Sequence, residues 1–328
     1  MKRRTALKFI AGTAALPVST YAIASNSKNA VEHSARFKSA LSTLTALNKG
    51  QTSISLRIKD ANGDRTVDHL GTKPLFVGSA VKTFILGQYL LDVEGGKLNE
   101  NERLDVGPSV WSPGGDVFND IQGTIPARNT LEMMIAHSDN TATDMAIKKV
   151  GPDRVRELIK RSGLSQTLIP DSTRVLFSYL NGAQAGEDMG WEGMLAMDQG
   201  KSFGPIRNAI NNQQTMMSTA QEMRQWYDYV LSGQLYKEEN TLNEFKRISS
   251  MANAIPYLMP DGIMGYGKGG SIDWNDFYCF CVAGQMVLPN TRTVSFCFIT
   301  NWSGPRSTLE PSAETFMGGS KTLLHALA

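Results

Sequence analysis

Ser79 and Lys82 stand three residues apart in the run Phe76-Val77-Gly78-Ser79-Ala80-Val81-Lys82-Thr83-Phe84-Ile85-Leu86. On a helix beginning at Ser79, that spacing sets a hydroxyl and an amine side by side. A helix start adds unpaired N–H groups and the positive end of the dipole. A serine beside a basic group, with N–H donors ready for an oxyanion, is equipment for nucleophilic acyl transfer. Phe84, Ile85, Leu86, Tyr89 and Leu90 make the following helix apolar on most faces, so it is expected to be buried. A lysine at its head needs a reason, because a buried charge is costly. Alone, Ser-x-x-Lys is short enough to arise by chance.

Two further clusters have the right chemistry. Ser138-Asp139-Asn140 falls between two predicted helices, although these residue types are also what caps a helix. Lys268-Gly269-Gly270-Ser271 precedes a β-rich run, and its glycines let a ligand approach the backbone closely. Gly262 to Lys268 nearly spells a P-loop, G-x-x-x-x-G-K. The next residue is Gly269 rather than Ser or Thr, and a strand rather than a helix is expected to follow, so nucleotide binding is not supported.

These clusters must be positioned by the rest of the chain. A helix is expected within residues 25–50, from the spacing of Ala40, Leu41, Leu44 and Leu47. Ile54, Leu56 and Ile58 alternate on one face of a half-buried strand, and a second strand is expected from Thr66 to Leu70. Residues 91–215 carry helices and long loops with little strand signal: 130–137, 141–150 and 153–161 read as helices, and 168–205 as glycine-rich loop. A helix opens at Ser218. Phe277 to Val287 and Thr293 to Asn301 read as an antiparallel hairpin, and a last helix runs from about Ala313 to Leu327. The pattern is an α/β (α+β) fold: an antiparallel sheet flanked by N- and C-terminal helices, with an inserted all-α domain. The expected boundaries are 25–76 plus 216–328 for the sheet domain and 77–215 for the insertion, with the site between them.

Composition bounds the partners. The chain has 328 residues, 41% hydrophobic and 20% charged, which is ordinary for a globular protein. Arg3-Arg4-Thr5-Ala6-Leu7-Lys8-Phe9, a short apolar run and Ala22-Ile23-Ala24 read as a twin-arginine signal over residues 1–24. Its removal takes Lys2, Arg3, Arg4 and Lys8, and moves the formal charge from +2 to −2. A near-neutral exported protein is therefore expected, periplasmic or secreted, with no nucleic-acid partner and no membrane anchor after cleavage. Nothing marks an interface, so a monomer is expected. Cys279, Cys281 and Cys297 are odd in number and are expected as buried free thiols. Without clustered histidines no metal is called for, and no cofactor is implied.

Together and in this order, Ser-x-x-Lys, Ser-Asp-Asn and Lys-Gly-Gly resemble the active-site set of class A β-lactamases and penicillin-binding proteins. Trp111-Ser112-Pro113 resembles the family's aromatic-Ser-Pro loop at the cleft mouth. The likeness covers about two thirds of the chain after the signal. It implies a small-molecule substrate, a β-lactam or a peptide-like amide or ester. It also implies Ser79 as nucleophile, Lys82 as base and Ser138 as proton donor to the leaving nitrogen. Asn140 would hold the substrate amide, Asp139 would fix its loop, Lys268 would attract a carboxylate, and Gly270 and Trp111 would line the cleft. The oxyanion would lie between the N–H groups of Ser79 and Ser271.

The sequence departs from that family at telling places. Class A enzymes carry a glutamate that activates the deacylating water, in a loop ending Leu-Asn. Here Phe177 stands at that place, in Asp171 to Asn181, and no acid falls between Thr173 and Asn181. Glu187, Asp188 or Glu192 could fold back as base. Gly269 replaces a hydroxyl that assists carboxylate binding, and no arginine is evident near that strand, since Arg292 lies in a far turn. Residues 181–205, with Met189, Trp191 and Met194, are expected to shape the cleft. Three functions follow: a serine hydrolase of the β-lactamase group, a module that traps a ligand as a slow acyl adduct, and a peptidase or esterase acting on cell-wall D-alanyl peptides.

Overall fold

Nine strands and eleven helices form among residues 34–61 and 63–328, the described part of this computed structural model. The expected export signal over residues 1–24 lies outside the described residues. Helix α1 (Ala35–Ala46) is capped by Ser34, whose hydroxyl accepts the Phe37 N–H. It leads into β1 (Thr52–Asp60) and β2 (Gly63–His69), an antiparallel pair. Ile54, Leu56 and Ile58 are fully buried, as their alternation requires, but so are Ser53 and Ser55. The strand is covered on both faces rather than one, because a later helix lies over its serine side.

The short strand β3 (Leu75–Phe76) precedes a 3-10 turn, Gly78–Val81, and then α2 (Lys82–Glu94). Phe84, Leu86 and Tyr89 have no exposed surface, and each contributes about 1.5–3 kcal/mol of burial. Strands β4 (Arg103–Val106) and β5 (Gly123–Pro126) form a small hairpin where only helix and loop are expected. Their four-residue length leaves too little alternation to read. Helices α3 (Ala127–Ala136), α4 (Asn140–Val150) and α5 (Pro152–Arg161) lie where the periodicity puts them. The glycine-rich stretch after them holds two helices, α6 (Thr173–Leu180) and α7 (Gly190–Asp198).

Strand β6 (Met217–Ser218) pairs with β3 and opens α8 (Ala220–Leu231), α9 (Glu239–Ser250) and α10 (Ala254–Leu258). Three long strands follow: β7 (Met264–Trp274), β8 (Phe277–Val287) and β9 (Thr293–Ser303). The last element is α11 (Leu309–His325). The main sheet has the order β2-β1-β9-β8-β7, and every pairing is antiparallel. Helix α8 covers the serine face, where Arg224 Nε donates to Ser55 Oγ at 2.9 Å. Helices α1 and α11 pack on each other and on β1 and β8. Helix α2 is held by α4, α5 and α9, and the 3-10 turn ahead of it lies against β7, an edge strand.

Lys268 to Ser271 lie inside β7, not ahead of a strand. Gly265, Gly267, Gly269 and Gly270 dilute its β-signal; Gly270 is needed where the strand meets the 3-10 turn. Cys279, Cys281 and Cys297 are buried and unbridged. Cys297 faces Ala283 across the ladder rather than either of the other two. No helix of the described residues is long and apolar enough to cross a membrane.

Candidate active site

Ser79 is half-buried on the 3-10 turn, and Lys82, the first residue of α2, is fully buried. The two glycines beside Ser79 explain how the turn reaches β7. Gly78 has φ of +54°, and a Cβ on it would sit 2.8 Å from the Ser271 N. A Cβ on Gly270 would sit 2.1 Å from the Val77 O and 2.8 Å from the Ser79 N. Only glycine allows that approach. It brings the backbones of Ser79 and Ser271 to one place, where their N–H groups could receive an oxyanion.

Helix α4 supplies the second wall. Asp139 caps it: Oδ1 accepts the Ala142 N–H at 2.7 Å. The other oxygen accepts the N–H groups of Val117 and Phe118 at 2.8 and 3.2 Å. One buried carboxylate thus ties the Ser138 loop to the 111–118 loop. Ser138 adopts φ of +59°, unusual for a residue with a side chain. This turn aims both its carbonyl and its hydroxyl at Lys82. Lys82 Nζ donates to Ser138 O at 2.6 Å and to Asn140 Oδ1 at 2.7 Å, and lies 3.3 Å from Ser138 Oγ. Asn140 Nδ2 in turn donates to Pro113 O at 2.5 Å.

Lys268 completes the cluster from the sheet. It is 1% exposed. Its Nζ donates to Ser138 Oγ at 3.0 Å and to Gly269 O at 2.8 Å. Burial, helped by the Lys268 charge, holds the Lys82 amine well below the usual lysine range against the pull of Asp139 and Asp144. Burial lowers Lys268 itself to about 7. A neutral Lys82 keeps two protons for Ser138 O and Asn140 Oδ1, and a lone pair facing the Ser138 hydroxyl. The chain Lys268 N–H, Ser138 O–H, Lys82 N is then satisfied at every link. None of the hydrogen bonds of Lys82 goes to Ser79. The Lys82 backbone N–H bonds the Ser79 O, so the two residues share one turn, but the substrate-free amine is engaged with Ser138 and Asn140.

Two cavities flank this cluster. One, about 730 Å³, is lined by Asn140, Phe177, Asn181, Ser271 and Trp274, with Lys201 and Ile206 beyond. The other, about 320 Å³, is lined by Ser138, Lys268 and Gly270, and runs back between the β7 edge and α11. Ser271 borders both.

Several expectations need correction. Trp111 does not reach either cavity. It is 7% exposed, its indole N–H donates to Ile121 O at 3.0 Å, and its ring meets Trp191 edge-on at 5.8 Å. That pairing draws both rings into the helical core. Met194 is likewise buried, and from residues 181–205 it is Asn181, Met197, Gly200, Lys201 and Ser202 that line the larger cavity. Of the three acids that could have folded back, Asp188 pairs with Arg174, whose guanidinium also binds the carbonyls of Pro108, Ser109 and Trp111. None of Glu187, Asp188 and Glu192 lines either cavity. Phe177 does, packed 6.0 Å from Trp274.

Arg306 was missed. It pairs with Asp273 on β7 and lines both cavities. It follows β9 by three residues, and only the β7–β8–β9 ladder carries it back to that strand. His137 is exposed and stands at the rim of the smaller cavity. Asp144 is the other unpredicted member. Its buried carboxylate accepts the N–H groups of Thr173 and Arg174 at 2.7 and 3.0 Å, fixing the start of α6 behind Phe177.

A sheet with flanking helices, a helical insertion and a serine–lysine cleft between them is the fold of the β-lactamase and transpeptidase structures. The model of the β-lactamase enzyme family, Beta-lactamase2, matches residues 36–310, and the chain belongs to that family. Among solved structures it is similar to a β-lactamase from Sphaerobacter thermophilus. The TM-score is 0.66 at 16% identity, covering 88% of this chain and 95% of that one. It is similar to PBP-A, with TM-score 0.63 at 16% identity, over 89% of this chain and 95% of that one. The chromosome-encoded β-lactamase of Vibrio parahaemolyticus gives 0.66 at 15% identity, over 88% and 98%. No curated protein matches the chain.

Proposed function

We propose that this protein is a serine hydrolase that acts through an acyl-enzyme on Ser79, with β-lactam or related amide and ester bonds as substrates. Neutral Lys82 takes the Ser79 proton as the Oγ–carbon bond forms. The oxyanion is held by the N–H groups of Ser79 and Ser271. Ser138 passes its proton to the departing nitrogen or oxygen and recovers one from Lys82. Water then cleaves the acyl ester, releasing the acid and restoring the serine. Asn140 and the larger cavity receive the acyl part. The reading rests above all on the Ser138 hydroxyl, which lies between two buried lysines drawn from different elements, at 3.3 and 3.0 Å.

A second reading has its own support. Phe177 occupies the cavity wall and no acid of α6 is present to activate water. General-base assistance is worth about 10²–10⁴-fold, so an adduct formed here would clear slowly and the protein would act as a trap. The chain is further proposed to leave the cytoplasm by the twin-arginine route, which a mature N-terminus after Ala24 would support.

The test is intact-mass measurement after exposure to a penicillin, beside turnover of a chromogenic cephalosporin and of a phenylacetyl aryl ester. Ser79-dependent turnover supports the hydrolase. A persistent Ser79 adduct without turnover supports the trap. Adduct or turnover that survives Ser79→Ala removes the nucleophile, and failure with all three probes rejects both readings.

A further inference from the structure

The smaller cavity has a chemistry that the family resemblance does not lead one to expect. It begins at Ser138 and Lys268 and ends among apolar side chains: Ala254, Ile272, Phe280, Val282, Phe316 and Met317. Phe280 projects from β8 and stacks on Phe316 of α11 at 5.9 Å and beside Trp302 at 5.4 Å. Gly269 contributes no hydroxyl, and a Cβ there would stand only 3.1 Å from that of Ala254.

The charged groups that face this space stand at its Ser138 end and its mouth, not among its apolar walls. Arg306 at its mouth is paired with Asp273. Lys268 gives two of its N–H bonds to Ser138 Oγ and Gly269 O. His137 stands at the rim and is solvent-exposed. Lys268 stands at the Ser138 end, so a carboxylate carried beyond it to the Phe280 and Phe316 end would find apolar walls and would lose its water without compensation. An alkyl or aryl group would gain burial there.

Position decides which part of a substrate this is. Ser138, the proton donor, lines this cavity, whereas Asn140 and Phe177 line the other. The departing atom faces Ser138, so whatever it carries points toward Phe280 and Phe316. Resting on the serine-hydrolase reading above, we infer that the preferred substrates are esters whose leaving alcohol or phenol is apolar and carries no carboxylate. In acylation the Ser79 Oγ–carbon bond forms and the carbonyl carbon–oxygen bond breaks. The alkoxide takes the Ser138 proton, and the neutral alcohol leaves through the apolar cavity.

The experiment uses two phenylacetyl aryl esters with leaving phenols matched in acidity, one bearing a butyl group and one a carboxylate. The butyl ester is expected to have the higher kcat/KM by at least about tenfold, the scale on which an apolar pocket discriminates. Phe280→Arg and, on the half-buried helix face, Met317→Lys each place a cation in the cavity. Either is expected to shrink or reverse that ratio, and Met317→Lys keeps the test open if the strand variant does not fold. Ser79-dependent turnover that favours the carboxylate ester, or a ratio unmoved in a folded variant, overturns the inference and leaves the hydrolase intact. Absence of Ser79-dependent turnover of either ester overturns the inference, and the hydrolase reading falls with it only if the penicillin and the cephalosporin fail as well.

Discussion

Lys268 Nζ lies 3.0 Å from Ser138 Oγ, so a group on the edge of the sheet makes its hydrogen bond to a loop of the helical part. The contact joins the two halves of the cleft. It also makes the environment of Ser138, the proposed proton donor, depend on a lysine whose titration burial has moved to about 7.

That lysine predicts a pH profile. Its protonated form donates to Ser138 and helps keep Lys82 neutral. The kcat/KM for an uncharged ester is therefore expected to fall as pH rises through about 7. Lys268→Arg keeps its proton, so the falling limb should move above about pH 9. A falling limb unchanged in the arginine variant would remove Lys268 from the assignment.

Phe177 predicts a gain. Phe177→Glu places a carboxylate in the wall beside Asn140 and Asn181. The lifetime of a penicillin adduct is expected to shorten by about 10²-fold, the lower end of general-base assistance, while labelling at short times persists. Time-resolved intact mass measures both, and an equally long-lived adduct counts against water entry at this wall.

The Gly270 contact predicts a loss. In Gly270→Ala the new Cβ would meet the Val77 O and the Ala80 N at 2.1 and 2.6 Å, so β7 must part from the 3-10 turn. The oxyanion donors are expected to separate, lowering acylation by about 10²–10³-fold. Stability should fall by about 1–3 kcal/mol. Near-normal acylation in the folded variant would place the oxyanion elsewhere.

Asp144 predicts a pH-dependent stability. Burial raises its carboxyl to about 6 despite the two N–H groups it accepts. The unfolded value is about 3.9, so between these values the native state holds more protons than the unfolded one. The stability due to this group therefore falls as pH rises across that window, by up to about 3 kcal/mol. Asp144→Asn lacks the titration. Urea unfolding should show the advantage of the wild type over the variant shrinking from pH 4 to pH 6, and a constant difference would contradict the assignment.

The sequence by itself determined a good deal. The apolar period of α2, the alternation of Ile54, Leu56 and Ile58, and the β-rich runs of β8 and β9 identify their elements, because each rests on neighbours within one turn or one strand. The order of Ser79, Ser138 and Lys268 points to the family that matches residues 36–310. Tertiary structure decided what those local signals omit. A strand diluted by glycine gives little β-signal, and its reason appears only when the 3-10 turn that requires Gly270 lies against it. Trp111 leaves the cleft because Trp191 offers it a partner. Arg306 reaches Asp273 only through the β7–β8–β9 ladder, and the apolar walls of Phe280 and Phe316 meet only when α11 lies on the sheet. Local periodicity fixes which face of an element is buried, but not which distant residue covers it, and that partner sets the cavity's chemistry.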